Sequence, residues 1–289
     1  MAKITAAQVK ELRDMTDSPM MECKKALVEA DGDIQKAVDV LRKMGVAKAV
    51  KKAGRETNEG AIGTFVSEDG KSSAMVEVYC ETDFVGTNPK FTGFASDVAK
   101  AICEAKPADE DALKAASMGG ETVAEALTEM IHTMGENMKF GRFTCHTIEN
   151  GTFSSYVHSN GKLGVLVEFS FAKAETAQNE EFKNFAHDVA MQVAAVAPQA
   201  ARREDLPAEV VEHEKSIYMA QAAESGKPEF IQEKIATGRL EKFFAETVLT
   251  EQKFIKDSDV TIAELAAKVD KVCDDKIEII SFDRYVFGE

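Results

Sequence analysis

The segment Gly70-Lys71-Ser72 comes nearest, by residue type, to a phosphate-binding loop, in which backbone N–H groups and a lysine hold the phosphates of a nucleotide. That pattern requires a glycine five positions before Gly70 and a helix after the serine. The earlier position is Phe65, and no helical pattern follows Ser72. A second segment, Gly161-Lys162-Leu163, keeps the Gly-Lys pair and lacks the hydroxyl. Both segments are therefore interpreted as hairpin turns.

The histidines and cysteines show no spacing that suggests a metal site or an activated nucleophile. The five cysteines are odd in number, scattered and never in a C-x-x-C pair, so neither disulfides nor zinc are expected and a reducing cytoplasm fits best. Glu77 and Glu168 recur at one position of two similar strands, and we expect both carboxylates to face solvent. The sequence therefore predicts no catalytic residue, no metal and no cofactor.

The most informative loop is Glu81-Thr82-Asp83-Phe84-Val85, which follows a predicted strand. In a second copy of this region the same register reads Ala172-Lys173-Ala174-Glu175-Thr176. Since the flanking scaffold is repeated and this loop is not, the scaffold alone does not require it. A Phe at a strand end is more often buried in a core than exposed. The difference between the copies favours the other interpretation, an exposed aromatic that contacts a partner.

Composition limits the classes of partner. With 289 residues, 44% of them hydrophobic, the chain can bury a core and divide into two or three units. A formal charge of −15 disfavours direct nucleic-acid binding, and no uncharged stretch approaches the roughly 20 residues that span a bilayer. Residues 1–55 differ, because twelve Lys and Arg stand against eight Asp and Glu. This basic region is either a solvated surface or a docking face for an acidic partner.

The amino-terminal 54 residues are predicted as a compact unit of three short helices. Thr5 and Gln8 fit a capping box, and Met15 lies at the helical spacing of the inward face. We expect Ser18 to cap the second helix and Gly45 to end the third. The basic connector after Gly45 is either a tether, the simpler interpretation, or a fourth helix. Such a unit is too small to enclose a catalytic cleft and is typical of a binding module.

The rest of the chain contains an internal repeat. Residues 60–66 reappear as residues 151–157, and the same register continues without a gap to residues 107 and 198. Each copy reads as two strands joined by a turn at Gly70 or Gly161, followed by a helix. The predicted fold class is α+β, with antiparallel β-hairpins on which helices pack.

Residues 206–236 are predicted as two helices joined at Ser225-Gly226-Lys227-Pro228. Their apolar positions are too sparse for a core element, so we interpret them as a helical hairpin that protrudes into solvent. A helix at about residues 261–272 and a strand at residues 277–282 are predicted after this hairpin.

The sequence resembles the elongation factor Ts family from about residue 4 to residue 287. Separated motifs in the family's order carry the resemblance, at residues 12–16, 20–27, 81–85, 134–137, 225–228, 238–240 and 242–243. Both repeat copies and the helical hairpin are present, as in the long, internally duplicated members of the family. The resemblance implies a cytoplasmic guanine-nucleotide exchange factor that acts on the GTPase elongation factor Tu and has no active site of its own.

The resemblance also implies which residues contact the partner. The family's amino-terminal module resembles a ubiquitin-associated (UBA) domain and grips the nucleotide domain of the GTPase, here through Arg13, Met20, Met21 and Lys24. The family's Thr-Asp-Phe-Val loop disturbs the Mg²⁺ site of the GTPase and corresponds to Thr82, Asp83, Phe84 and Val85. Other positions that the family uses near the same helix or in a second contact are Met134, Gly135, His158 and Ile255.

The resemblance divides the chain into a UBA-like docking module at residues 1–54, core subdomain N at 55–148 and core subdomain C at 149–289. The helical hairpin is inserted at about 202–238 and is a candidate surface for a higher-order complex. An alternative function is a ubiquitin-like-binding adaptor without exchange activity, which would leave the loop at Asp83-Phe84 without a role. A third, an enzyme with a site split between the copies, lacks a convergent acid/base pair.

Overall fold

The computed structural model describes residues 4–224 and 226–288. The fold is α+β, because helices are combined with two three-stranded sheets in which every strand pairing is antiparallel. Ser225, part of the predicted joint between two helices, lies outside the described residues.

Three helices form the amino-terminal unit: α1 (Ala6–Thr16), α2 (Met20–Glu29) and α3 (Ile34–Lys52). The predicted capping box is present, because Thr5 Oγ1 accepts from the Gln8 N–H (3.3 Å) and the Gln8 side chain accepts from the Thr5 N–H (3.0 Å). Side chains from all three helices give the unit a core of its own: Val9, Leu12, Cys23, Ala26, Leu27, Ala30, Ala37 and Leu41.

Three details of this unit differ from the prediction. The Ser18 hydroxyl donates to the Thr16 carbonyl (3.5 Å), and no side chain caps α2. Met15 is exposed, because the last turn of α1 borders an open groove of about 620 Å³. Gly45 lies buried inside α3, where a Cβ would sit 3.5 Å from the Cβ of His132. This glycine permits close helix packing instead of ending the helix, and the predicted tether is helical as far as Lys52.

The first copy of the repeat contains, in chain order, β1 (Glu59–Val66), β2 (Ser72–Cys80), α4 (Asp83–Gly86), α5 (Pro89–Ala105), α6 (Glu110–Ala115), β3 (Ser117–Met118), β4 (Glu121–Thr122), α7 (Val123–Met134) and β5 (Lys139–Thr147). β2 is the central strand of the sheet β1-β2-β5. α5 packs on β1 and β2 and buries Phe91 and Phe94 there. α7 and β5 were not predicted from the sequence, although Thr122 and Glu125 form a capping box at the start of α7.

The second copy contains β6 (Gly151–Val157), β7 (Leu163–Ser170), α8 (Glu180–Val196), α9 (Ala208–Ala223), α10 (Glu229–Thr247), β8 (Lys253–Phe254), β9 (Asp257–Thr261), α11 (Ile262–Cys273) and β10 (Glu278–Val286). Its sheet has β7 between β6 and β10, which is the arrangement of β2 between β1 and β5. The copies therefore share a third strand and a helix before it, in addition to the predicted hairpin and helix.

Both predicted hairpin turns are present. Gly70 and Gly161 adopt left-handed backbone conformations, with φ of 69° and 71°, which glycine reaches without a Cβ clash. The turns also join the two sheets, since the Lys71 ammonium donates to the Gly151 carbonyl (2.8 Å) and the Ile62 N–H donates to the Gly161 carbonyl (2.8 Å). The Gly-Lys pairs thus belong to the packing of one copy on the other.

A buried carboxylate contradicts the expectation that Glu77 faces solvent. Glu77 is only 1% exposed, because it lies on central strand β2. Its Oε1 accepts from Arg142 Nη2 (2.6 Å) and Nε (3.1 Å), and its Oε2 accepts from the Arg142 N–H (3.1 Å). Glu168 is half-buried and accepts from the Ser281 hydroxyl (2.7 Å). Each of these glutamates therefore bonds to the third strand of its own sheet.

α9 and α10 pack against each other, and most of their side chains are exposed. α10 extends to Thr247, well beyond the predicted end of the helix at residue 236. It does so because its last turn enters an apolar cluster at the base of the two helices: Ala200, Leu206, Phe244 and Val248.

Candidate functional site

The loop after β2 forms a single helical turn that exposes an aromatic ring. Thr82 starts the turn, since its Oγ1 accepts from the Val85 N–H (3.4 Å). Val85 is buried, whereas the side chain of Phe84 is 84% exposed. A single exposed apolar side chain is common on protein surfaces, so this exposure shows that the ring is free of the core and available for contact.

One carboxylate holds the backbone at the start of this turn. Glu136 Oε2 accepts from the N–H groups of Glu81 and Thr82, both at 3.0 Å. Glu136 Oε1 accepts from the Thr82 hydroxyl at 2.6 Å. Glu136 follows α7, so the end of α7 fixes the turn that carries Phe84.

A second set of bonds ties the turn to the end of the amino-terminal unit. Glu81 Oε1 accepts from the Asn137 N–H (2.6 Å) and lies 3.3 Å from Nη1 of Arg55. The Asn137 amide in turn donates to the Arg55 carbonyl (2.9 Å). Arg55 comes shortly after α3, so the connection between unit and body is bonded to the same loop as Phe84.

Gly86 explains how closely the turn lies on β1. A Cβ at Gly86 would lie 3.0 Å from the Gly60 carbonyl oxygen, which is closer than nearly all real contacts of that kind. The neighbouring residue Glu59 pairs with Lys162 (2.5 Å), beside the turn of the second hairpin. In that turn the Gly161 N–H donates to the His158 carbonyl (2.7 Å). Exposed His158 is thereby attached to the edge where Phe84 emerges.

Met134 and Gly135 end α7, directly before Glu136, which holds the turn. Gly135 is the left-handed C-cap, with φ of 79°. Both residues line an open groove of about 420 Å³, whose opposite wall carries four cations: Lys48, Lys51, Lys52 and Arg55. Burial, and then the charges of Arg55 and Lys48, lower the pKa of Lys52. Glu22 also lines the groove, so four cations stand with one carboxylate and the groove is basic.

A buried histidine joins the amino-terminal unit to the body beneath this groove. His132 Nε2 lies 3.3 Å from Glu22 Oε2, while the other oxygen of Glu22 is paired with Lys48. Burial lowers the pKa of His132, which the Glu22 charge opposes. The imidazole is accordingly neutral near pH 7, and the junction rests on close packing more than on a charge pair.

The four predicted docking residues of the amino-terminal unit, Arg13, Met20, Met21 and Lys24, are all exposed. Met15, which was predicted on the inward face, is also exposed, at the end of α1. Flexible methionine side chains suit contact with a partner surface. This third methionine was not predicted as a contact residue, because its helical spacing placed it on the inward face.

Ile255 belongs to a different neighbourhood. It lies between β8 and β9, where its N–H donates to Gln192 Oε1 (2.9 Å) of α8. The adjacent Lys256 pairs with Asp188 of α8 (2.6 Å). These contacts attach the exposed Ile255 to the helix of the second copy and not to the turn that carries Phe84.

One cluster of a hydroxyl, an imidazole and a carboxylate lacks the geometry of a catalytic relay. Thr144, His146 and Asp283 meet, but the Thr144 hydroxyl (2.8 Å) and the Asp283 carboxylate (2.5 Å) both contact His146 Nε2. A relay needs the base and its orienting acid on opposite ring nitrogens. Burial raises the pKa of Cys80 to about 12 and raises the pKa values of the other four cysteines, which disfavours thiolates.

Among residues 4–224 and 226–288, no cluster of three or more His, Cys, Asp or Glu side chains has the arrangement of a metal site. In the same part of the chain, none of the helices combines the length and apolar character needed to cross a membrane.

Comparison with known proteins assigns the family. The model of the family described as Elongation factor TS matches residues 81–289. Similar proteins named elongation factor Ts include that of Desulfovibrio desulfuricans, which is 44% identical over 98% of this chain and 98% of its own length. That of Trichlorobacter lovleyi is 43% identical over 99% of this chain and 93% of its own, and that of Clostridium perfringens is 44% identical over the same shares. The chain therefore belongs to the elongation factor Ts family.

Proposed function

We propose that this chain is a guanine-nucleotide exchange factor that binds elongation factor Tu in its GDP form and promotes release of GDP during translation elongation. Membership of the elongation factor Ts family supports the exchange role and this partner. The single observation that carries the mechanism is Phe84, an exposed aromatic ring on a turn whose backbone is fixed by Glu136.

The proposed action is a change of affinity and not a chemical reaction. Coupling between two binding sites is reciprocal, so a protein that weakens the partner's hold on GDP is itself held less tightly when GDP is bound. Phe84, flanked by Thr82, Asp83 and Val85, inserts beside the nucleotide pocket and displaces a helix that supports Mg²⁺. The metal is then a ligand of the partner, bound by its oxygen ligands and by phosphate.

The free energy available from such a wedge is sufficient to matter. Burying one Phe side chain contributes about 1.5–3 kcal/mol. That contribution arises only when the displaced helix offers a surface for the ring, so it favours the state that holds GDP weakly. Contacts at Met134, Gly135 and His158, which border the same turn, add to it. Ile255 supplies a separate contact from the second copy.

The direct test follows the release of fluorescent GDP from elongation factor Tu with and without this chain. Faster release supports the proposal. Unchanged release contradicts it, and binding to a ubiquitin-like domain in a parallel titration would then favour the adaptor function.

We assign docking to residues 1–54 as a UBA-like module, with core subdomains at 55–148 and 149–289. The module's own apolar core and its excess of cations support this division. The double variant Arg13→Glu/Lys24→Glu should weaken binding to elongation factor Tu, because it reverses two exposed charges on the docking face. Titration calorimetry measures the loss, with Lys36→Glu as the control for charge alone. Equal binding by both variants would exclude the proposed face.

The exposed pair α9 and α10 is proposed as a protruding arm that serves assembly of complexes and not exchange on one GTPase. Replacing residues 214–240 with a short Gly-Ser linker should leave the rate of GDP release from a single GTPase unchanged. The base of the arm, with Phe244 and Val248, is kept in this variant. Light scattering of the complex should show any change in assembly. Loss of exchange with the circular dichroism of the remaining fold intact would contradict the assignment.

A further inference from the structure

One feature of the repeat suggests how the chain keeps Phe84 in place. The turn after β2 is bonded to Glu136, and the turn after β7 is bonded in the same way to Asp275. Asp275 Oδ1 accepts from the Ala172 N–H (3.2 Å), and its Oδ2 accepts from the Lys173 N–H (2.8 Å) and the Thr176 hydroxyl (2.7 Å). In each copy a single carboxylate thus receives two consecutive backbone N–H groups and one threonine hydroxyl.

The two carboxylates occupy equivalent places in the fold. Glu136 lies between α7 and β5, and Asp275 lies between α11 and β10. Each therefore connects the third strand of its sheet to the turn after the central strand. The sequence register did not reveal this equivalence, because the two copies differ in spacing between the first helix and the third strand. The clamp is consequently a property of the repeated scaffold.

What the clamped turns carry differs between the copies. The second turn contains Ala174, Glu175 and Thr176, with no aromatic ring. The first turn carries Phe84 and is also bonded through Glu81 to Asn137, whose amide holds the carbonyl of Arg55. Only Glu136 thus acts, among these two carboxylates, on a turn that bears an exposed aromatic side chain.

We propose that Glu136 is a positioning residue for nucleotide exchange, which fixes the direction in which Phe84 leaves the body of the protein. This inference rests on the proposed function. Charge-assisted bonds from the Glu81 and Thr82 N–H groups to Glu136 order the backbone before the partner arrives. The entropic cost of ordering the turn therefore does not reduce the free energy of binding. Glu136 itself is half-buried behind the turn and acts through Phe84.

The variant Glu136→Gln tests this role with little change in volume. The amide offers one acceptor oxygen where the carboxylate offers two, and its NH₂ group faces N–H donors. We expect the maximal rate of GDP release at saturation to fall by about tenfold, because small losses of geometry cost large factors in rate. The concentration for half-maximal effect should change little, since the docking module is unaltered. Asp275→Asn is the matched control and should leave release at the wild-type rate.

A double-variant cycle separates positioning from direct contact. In the Phe84→Ala background, adding Glu136→Gln should produce no further loss of exchange. An equal further loss would mean that Glu136 acts independently of the ring and would overturn the proposal. An equal effect of Asp275→Asn would overturn it as well, because the loss would then reflect general stability.

A measurement on the free protein distinguishes this inference from the proposed function. In Glu136→Gln, hydrogen exchange of the Glu81 and Thr82 amides should accelerate by about tenfold or more, while amides of the β7 turn keep their rates. If the amides accelerate and the wild-type chain does not stimulate GDP release, the clamp stands and the exchange function fails. If the amides keep their wild-type rates, Glu136 does not order the turn and the inference fails.

Discussion

Phe84→Ala should slow the release of GDP from elongation factor Tu by about 30-fold at saturation, while the variant stays folded. The ring is 84% exposed in the free protein, so its removal takes little from the core. Aromatic anchors of an interface typically cost about 2 kcal/mol or more when truncated, and this amount corresponds to the stated factor in rate. The measurement is GDP dissociation by stopped-flow fluorescence, with the melting temperature as the check on folding.

The control for losing an exposed aromatic is Phe230→Ala, since Phe230 lies on α10 and is 68% exposed. It should exchange like wild type. Asp83→Ala should show a smaller effect than Phe84→Ala, because Asp83 is exposed beside the ring and would lose only hydrogen bonds at the interface. Wild-type stimulation by Phe84→Ala, or its unfolding, would show that the ring is not a wedge.

Removal of Mg²⁺ tests whether Phe84 acts through the Mg²⁺ site of the GTPase. If Phe84 acts by loosening the Mg²⁺ site of the GTPase, chelation of Mg²⁺ should raise spontaneous release and reduce the difference between wild type and Phe84→Ala. A difference that persists without Mg²⁺ would place the action of the ring elsewhere in the nucleotide pocket.

The elements of the fold that could be predicted are those whose sequence shows a regular pattern over a few neighbouring residues. Alternating strands, turns at Gly70 and Gly161 and helical periodicity identified both hairpins and the helices that follow them. β5 was missed because its half-buried pattern of glycine, charged and apolar residues matches neither period. Gly45 was predicted to end α3 because glycine commonly terminates helices, but glycine also permits close packing, and the neighbouring His132 shows that close packing is its role here.

The candidate site, like the fold, was predictable only where the sequence itself carries a local signal. The comparison of the two copies singled out the loop at Phe84, since it differs where the scaffold does not. The contribution of Glu136 was invisible, because it lies 55 residues along the chain from Glu81 and only the fold brings the two together. Burial of Glu77 was equally invisible, because its partner Arg142 is on a strand that the sequence analysis missed.

The largest effect on stability should come from Arg142→Ala. This change leaves the Glu77 carboxylate, which is only 1% exposed, without its guanidinium partner; the remaining donors are one backbone N–H and the Tyr79 hydroxyl at 3.5 Å. Removing the partner of a buried carboxylate costs about 3–5 kcal/mol, and we expect the low end of that range, about 3 kcal/mol, because the Arg142 side chain is 49% exposed. The variant also loses the stacking of Arg142 over the Tyr285 ring, at 4.6 Å from its centroid. Urea unfolding followed by circular dichroism measures the change in the free energy of unfolding.

Two controls identify burial of the charge as the cause. Lys183→Ala removes an exposed pair with Glu180 on α8 and should cost no more than about 1 kcal/mol. The double variant Glu77→Leu/Arg142→Leu removes both charges and should recover most of the stability lost in Arg142→Ala, because apolar replacements of a buried pair are often neutral. A loss in Arg142→Ala as small as that in Lys183→Ala would mean that water reaches Glu77. Strand β2, which leads into the turn that carries Phe84, would then be open to solvent at Glu77.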